Sequence, residues 1–415
     1  MNFFYNIFVY LYGLAIRIAS LFNKKAGLWV SGRKNIFHKL ELDFKNRITN
    51  EVLVWVHCAS LGEFEQGRPI IEKIKKEKVG VKILLTFFSP SGFEIRKNYN
   101  QADYIYYLPL DTPDAAQLFV RLVKPNVAIF VKYEFWFNYL NELKKQNVPT
   151  YLVSGVFRAN HYFFKSYGSW FRKQLSAFTY FYLQDSASEK LLNDIGYTNT
   201  TVAGDTRFDR VLEISKNVKG INFIKQFVNS KKVIVAGSTW DADIDVLSAV
   251  NVSDYKLIIA PHEVTEKNIQ SVIQKIKESN YSPVKTLRYS QLNQQMDFNA
   301  EVLIIDNVGM LSSLYQYGTL AFIGGGFGKG IHNILEAATF GLPVVFGPNY
   351  QKFNEAKELI KKGGAFSVVN APEFKKVIAL LTDTDALQKA SLVAKHYVES
   401  NAGATEKIVV SLTFK

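Results

Sequence analysis

From residue 52 onward, short apolar runs alternate with longer stretches in which apolar residues recur every three or four positions. The first pattern predicts strands buried on both faces, the second amphipathic helices. Strands are expected at Val52–Val56, Val81–Phe87, Tyr104–Leu108, Val127–Val131, Thr150–Val153 and Tyr180–Leu183. Helices are expected at Phe64–Lys78, Ser91–Tyr99, Thr112–Val123 and Phe135–Gln146, with Pro113 at a first helical position. The aromatic stretch His161–Phe178 also reads as helical. After Gly204 a second cycle begins, with strands at Val233–Ala236, Leu257–Ala260, Val302–Ile305, Leu320–Ile323 and Pro343–Phe346. Such alternation means parallel sheets with helices on both faces. Two Rossmann-like α/β domains follow, 23–205 and 206–415, joined near 205–220. A ligand would sit in a cleft at the carboxyl ends of the strands.

The stretch before this alternation differs. Phe3–Phe22 is almost wholly apolar, broken by Asn6 and Arg17, and Lys24, Lys25, Arg33, Lys34 and Lys39 follow. A membrane span needs roughly 20 apolar residues, so residues 1–22 are expected to be a membrane anchor. A single span, an interfacial helix and a buried helix all fit the pattern. Basic residues after the run place the body of the protein on the cytoplasmic side. No positive region precedes the run and no small-x-small cleavage site follows it, which argues against a signal peptide.

Composition narrows the partners. The 415 residues are 48% hydrophobic and carry a formal charge of +13, with Tyr 22 and Phe 32. That balance excludes a disordered chain and favours anionic partners: nucleic acid, lipid or phosphorylated substrate. No nucleic-acid signature is present and the lysines are spread through helices, so nucleic acid is the weaker choice. One cysteine, Cys58, excludes an internal disulfide and any cysteine-rich metal site.

Two stretches carry chemistry. Leu320–Glu336, LAFIGGGFGKGIHNILE, reads as strand, glycine loop and helix start. Glycines at 324, 325, 326, 328 and 330 let backbone N–H groups approach an anion. A helix beginning near Ile331 would add its positive end and place His332 and Glu336 on one face, with Asn333 beside them. Phosphate on the loop and ribose on Glu336 would suit a nucleotide. The loop matches neither G-x-G-x-x-G nor a P-loop, and a tight turn before a solvated helix is the plain alternative. The second stretch is His57-Cys58-Ala59-Ser60-Leu61-Gly62-Glu63, between the first strand and first helix. Ser60 and Glu63 fit a capping box, a structural reading that competes with catalysis by Glu63. His57 and Cys58 alternate along a strand and face opposite ways, which disfavours a thiol nucleophile.

At these residues the chain resembles the 3-deoxy-D-manno-octulosonic acid (Kdo) transferases of lipopolysaccharide synthesis. Ser60–Glu63 resembles the family's S-x-G-E loop, and Ser89–Glu94 its T-P-T-G-x-E. Tyr107–Asp111 is similar to Y-L-P-x-D, and Glu134-Phe135-Trp136 with Asn138 to E-L-W-P-N. Gly204–Asp209 is similar to G-N-x-K-F-D. Gly325 with His332-Asn333 and Glu336 resembles G-G-(H)-N-x-x-E, and Phe346–Asn349 with Phe353 and Glu355 the following F-G-P…F-x-E.

The resemblance implies a GT-B fold, CMP-Kdo as donor, the lipid A precursor as acceptor, and attachment to inner-membrane lipids at the cytoplasmic face. It implies Glu63 as catalytic base. Donor binding would fall to Arg207, His262, Gly325, Gly326, His332, Asn333 and Glu336. Acceptor binding would fall to Ser60, Gly62, Glu134 and Arg158. Neither a metal nor a cofactor is expected. Departures from the family pattern are Lys132 before Tyr133-Glu134, Phe137 for a proline, Pro261-His262 without an intervening arginine, and Arg158 as the remnant of A-R-L-S-x-R. A structural ion pair of Glu134 with Lys132 or Arg158 competes with an acceptor contact. Two other functions are open: a GT-B enzyme using a UDP-sugar, transferase or 2-epimerase, and a non-enzymatic basic binder.

Overall fold

Leu53–Cys58 (β1) is buried at every position, as only a central strand covered on both faces can be. Its side chains alternate: Leu53 and Trp55 enter one core, and Val54, Val56 and Cys58 the core on the opposite face. The computed structural model describes residues 1–45, 47, 51–248, 250, 254–278, 284–293 and 298–413. Around β1 lie β2 (Lys82–Phe87), β3 (Tyr104–Tyr107), β4 (Val127–Val131), β5 (Thr150–Gly155), β6 (Tyr180–Leu183) and β7 (Thr200–Val202). They form a parallel sheet in the order β3-β2-β1-β4-β5-β6-β7.

A second parallel sheet has the order β10-β11-β9-β8-β12-β13-β14. Its strands are β8 (Lys232–Thr239), β9 (Tyr255–Pro261), β10 (Thr286–Arg288), β11 (Val302–Ile304), β12 (Leu320–Ile323), β13 (Val344–Phe346) and β14 (Ala365–Ser367). Two parallel-sheet α/β units are therefore present, as the alternation predicts. β7, β10 and β14 were not marked by the apolar pattern. Each is a three-residue edge strand with polar positions, Thr-Thr-Val, Thr-Leu-Arg and Ala-Phe-Ser. The His161–Phe178 stretch is not one helix. Two 3₁₀ turns, Tyr162–Phe164 and Ser166–Gly168, precede the helix Ser169–Leu175. A Cβ at Gly168 would lie 2.0 Å from the Tyr162 carbonyl oxygen, so the chain folds back on itself there.

The chain divides into Met1–Arg210 with Ala402–Lys415, and Val211–Asn401. The last helix, Ala404–Ser411, thus joins the first unit and not the second, where its place in the sequence had put it. Ala404, Ile408, Val409 and Leu412 complete a core beside β1, and Asp209 accepts the Gly403 and Thr405 N–H groups at 2.5 and 2.8 Å.

The N-terminal anchor requires a correction. α1 (Asn2–Ala19) packs on the first unit, and among the described residues no helix is long and apolar enough to cross a membrane. The polar residues in the apolar run explain why. Tyr5 donates to Asp111 at 2.5 Å, Asn6 accepts from Asn138 at 2.9 Å, and Asn2 accepts from Trp170 at 2.6 Å. Asp111 is fully buried, and burial pushes its carboxyl up to about 6. On the other face of α1, Phe3, Phe4, Phe8, Leu11, Leu14 and Ile18 are exposed. α2 (Lys24–Gly32) and α3 (Ile36–Phe44) then lead into β1.

Candidate functional site

In the first unit the strand order turns between β1 and β4, and the expected acceptor and catalytic residues follow the carboxyl ends of β1, β4 and β5. β1 runs into Ser60, the N-cap of α4 (Leu61–Glu77). The Ser60 Oγ accepts the Gly62 N–H at 3.2 Å, and its hydroxyl donates to the Glu63 carboxylate. Glu63 therefore takes up the Ser60 hydroxyl instead of closing a capping box on the Ser60 backbone. The hydroxyl fixes the carboxylate at the start of α4. Neighbouring Glu65 is paired with Arg96 at 2.9 Å.

β4 is followed by Lys132, a non-glycine residue at φ 72°, which turns Tyr133 and Glu134 away from the strand line. Glu134 is 9% exposed. Its Oε2 accepts from Trp136 Nε1 at 2.6 Å and lies 3.3 Å from Nε2 of the buried His57. His57 Nδ1 is 2.9 Å from Thr86 Oγ1. The partner of Glu134 is thus His57, not Lys132 or Arg158; Lys132 lies over the Tyr133 ring at 5.3 Å. Glu134 and Trp136 line a cavity of ≈ 330 Å³ with Tyr133, Phe88, and Tyr5 and Tyr12 of α1. Arg158 is exposed beyond β5, close enough to help hold His161 neutral, although burial of that imidazole is the larger effect. Burial pushes the Cys58 thiol up, and the nearby Glu63 and Glu134 charges add to it, so Cys58 is no nucleophile.

In the second unit the order turns between β8 and β12, and the glycine loop follows β12. The loop closes on backbone. A Cβ at Gly324 would meet the Ser238 carbonyl oxygen at 2.3 Å, and one at Gly326 the Gly347 nitrogen at 2.5 Å. Ser238, at φ 53°, bends the end of β8 toward it. Three rings stack there: Trp240 on His262 at 4.5 Å and His262 on His332 at 4.6 Å. Burial, then the His262 charge, hold His332 below the usual histidine range. Asn333 Nδ2 donates to Glu336 Oε1 at 3.1 Å.

The family model for 3-deoxy-D-manno-octulosonic-acid transferase (kdotransferase) matches residues 34–210. The 3-deoxy-D-manno-octulosonic acid transferase of Aquifex aeolicus is 30% identical over 86% of this chain and 92% of its own length. The chain belongs to the Kdo transferase family. The Rickettsia bellii transferase is 24% identical over 88% of this chain and 86% of its own. Among solved structures, UDP-GlcNAc 2-epimerase of Neisseria meningitidis bound to UDP-GlcNAc matches at TM-score 0.58 and 15% identity, over 87% of this chain and 98% of its own. Acinetobacter baumannii MurG matches at 0.54 and 12%, over 87% and 98%. Those likenesses are of fold alone: two parallel-sheet α/β domains with GT-B-like neighbours.

Membership makes the chain a glycosyltransferase acting in lipopolysaccharide synthesis, with Kdo as the transferred sugar. Ser60, Gly62, Glu63, Glu134 and Arg158 fall in the first unit of this Kdo transferase, on adjacent strand ends. His262, Gly325, Gly326, His332, Asn333 and Glu336 fall together in the second. Arg207 is on the other side of the division. It belongs to the first unit, where Asp205 holds its guanidinium at 2.7 Å.

The expected helix dipole is also absent from its place. The helix after the loop is only Leu335–Ala338, so His332 and Asn333 precede it, and Asn333 Oδ1 accepts the Leu335 N–H at 3.2 Å. Nor is every glycine N–H available to an anion. Gly325 N–H goes to Asp243 at 2.9 Å, and those of Gly324, Gly328 and Gly330 go to carbonyls within the fold. The Gly326 N–H is not among them.

The residues missed are Asp243, Trp240 and His57. Asp243 is 1% exposed, accepts from the Trp240 and Gly325 N–H groups, and leaves Oδ1 without a partner among the described residues. Its signal was the acidic residue three positions after Trp240, a helix-start spacing.

Proposed function

We propose that this chain transfers Kdo from CMP-Kdo to the lipid A precursor lipid IVA, with inversion at the anomeric carbon. Glu63 takes the proton from the attacking acceptor hydroxyl. That oxygen bonds to the ketosidic carbon of Kdo as the bond from this carbon to the phosphate oxygen breaks, and CMP leaves as a phosphate monoester anion. The observation that carries the reading is Glu63 itself: a carboxylate fixed by Ser60 at the start of α4, beside the switch point of the first sheet.

In the second unit the Gly326 N–H, His262 and His332 receive the CMP phosphate, and Glu336, with Asn333 against it, receives the ribose. Helix-dipole help is not part of the assignment. Neither a metal nor a cofactor is needed when N–H donors and imidazoles meet the leaving charge. The exposed apolar face of α1 and the charge of +13 support seating at the cytoplasmic face of the inner membrane, on its lipids and not across them. Nucleic acid has no part in this reading.

Mass spectrometry of the lipid product after incubation with CMP-Kdo and lipid IVA tests the reaction. The expected product carries added Kdo; an unmodified acceptor beside consumed CMP-Kdo would overturn the acceptor. Calorimetry with CMP and UDP tests the donor, and tighter UDP binding would move the chain to a UDP-sugar enzyme.

A further inference from the structure

A second cavity of the first unit, of ≈ 550 Å³, lies against α1, α2 and α3. That volume is within the roughly 300–1,000 Å³ of ligand sites. None of the residues assigned to the reaction lines it. Leu14, Ile36 and Leu110 give it apolar walls; Arg17, Arg33 and Lys34 line it too, and no carboxylate does.

Arg33 is the unusual member. Its guanidinium lies 3.8 Å from the centre of the Trp29 ring and donates to the carbonyl oxygens of Leu108, Trp29 and Phe88 at 2.8, 3.0 and 2.8 Å. Five N–H groups are available on a guanidinium, so donors remain on both terminal nitrogens. No carboxylate pairs with it among the described residues. Burial lowers its pKa to about 9, which leaves it charged at neutral pH. A half-buried cation with no carboxylate partner among the described residues makes the cavity electropositive, and an anion seated there would be met by three positive side chains.

The surroundings say what bears that anion. Leu14 lines the cavity and is 53% exposed on the same helix whose Phe8, Leu11 and Ile18 are exposed. An apolar chain can therefore pass from the bilayer surface along α1 into the cavity. A free phosphate would leave the apolar walls unused.

We propose that this cavity binds an anionic glycerophospholipid of the bilayer, its phosphate at Arg17, Arg33 and Lys34 and one acyl chain along Leu14, Ile36 and Leu110. The assignment rests on α1 lying in a membrane interface, and not on the identity of the transferred sugar. It distinguishes a specific lipid seat from general attraction between a basic protein and an anionic surface.

Dihexanoylphosphatidylglycerol, held below its micellar concentration, is titrated calorimetrically into the full-length protein, with inorganic phosphate in parallel. Two variants separate the contributions. Ala115→Phe fills the cavity, which Ala115 lines, at unchanged charge. Arg17→Glu with Lys34→Glu reverses the charge and leaves the walls. Melting curves identify whichever variant stays folded. The wild type is expected to bind one lipid saturably, and each folded variant at least tenfold more weakly. Ala115→Phe is expected to sediment normally with phosphatidylcholine vesicles, because α1 is intact.

Absence of saturable lipid binding by the wild type overturns the proposal. So do equally tight binding of inorganic phosphate, and unchanged affinity in a folded variant. Displacement of the lipid by lipid IVA would make the cavity an acceptor site and overturn it too. A wild type that ignores vesicles would remove the membrane reading of α1 and this proposal with it. Loss of Kdo transfer with lipid binding intact would remove only the reaction.

Discussion

The two units hold their candidate site residues at the same topological place and build that place from different material. At the switch point of the first sheet, side chains do the work: Ser60 fixes Glu63, and His57 and Trp136 hold Glu134. At the switch point of the second, backbone does it: Gly324 and Gly326 press on Ser238 and Gly347 with no room for a Cβ. A side-chain site is set by which groups meet, so removing one group can abolish a step and spare the fold. A backbone site is set by how closely chains approach, so an added methyl disturbs fold and function together.

The largest expected effect tests the first half of that contrast. Glu63→Gln keeps the shape and can still accept the Ser60 hydroxyl, but cannot take a proton. Transfer should slow at least about a hundredfold, from a range of about 10²–10⁴ for general-base loss. The melting temperature should stay within a few degrees and CMP binding should be unchanged. Near-normal turnover in the Gln variant would move the base elsewhere; Glu65, paired with Arg96, and the buried Glu134 then become the candidates.

The second prediction sets a glycine of each site against the other. Gly326→Ala forces a Cβ to within 2.5 Å of the Gly347 nitrogen. It should cost about 3 kcal/mol, as overpacking does, and lower the melting of the second unit by about 6–12 °C. Gly62→Ala meets only Ser60 Oγ, at 3.7 Å, in a helix that tolerates alanine. It should change stability by less than about 0.5 kcal/mol. Equal losses in the two variants, read by calorimetric scanning of the full chain, would erase the contrast.

Glu336→Ala probes the exception, a side chain in the backbone-built site. Its loss should weaken CMP binding about tenfold, or about 1.4 kcal/mol, in a protein that melts normally. Wild-type affinity would take the ribose away from Glu336.

The smallest effect is on pH. His332 titrates below its unfolded value because it is buried and faces His262. The unfolded chain therefore binds that proton first as pH falls. The stabilisation is full above the unfolded value of about 6.5 and is lost as pH falls through the folded one. Between pH 7.5 and 5.5 the second unit should lose a little stability, and His332→Gln should remove part of that loss. An identical pH profile in the Gln variant would show that the stacked rings do not sense protons.

The contrast also explains what the sequence showed. Strand cores such as Val127–Val131 and Leu320–Ile323 were legible because a buried parallel strand is a continuous apolar run. β7, β10 and β14 were not, because edge strands carry polar residues. At the first site the residue types and the local Ser60–Glu63 pairing were legible, and the partner of Glu134 was not. His57 meets Glu134 across 77 positions of sequence, which no local spacing encodes. At the second site the glycines announced a close approach but not the direction of their N–H groups, and Asp243 takes one of them from 82 positions away. The helix after the loop was expected to begin near Ile331; Asn333 instead spends its side chain on Leu335 and Glu336, and the helix starts after it. The α1 anchor misled for a related reason. Hydropathy registers the apolar face of that helix and overlooks three polar contacts on the other.

The helix Ala404–Ser411 bears on the order in which a growing chain can fold. Residues 211–401 form one uninterrupted segment, so that unit has all its parts once residue 401 has left the ribosome. The first unit, begun earlier, still lacks Ile408, Val409 and Leu412 from its core, and Asp209 still lacks the Gly403 and Thr405 amides. The usual order of synthesis, amino-terminal domain first, is thereby reversed for completion. Until the chain passes residue 412, the nascent first unit exposes an apolar face beside β1, a surface on which a chaperone could act and which the finished protein no longer offers.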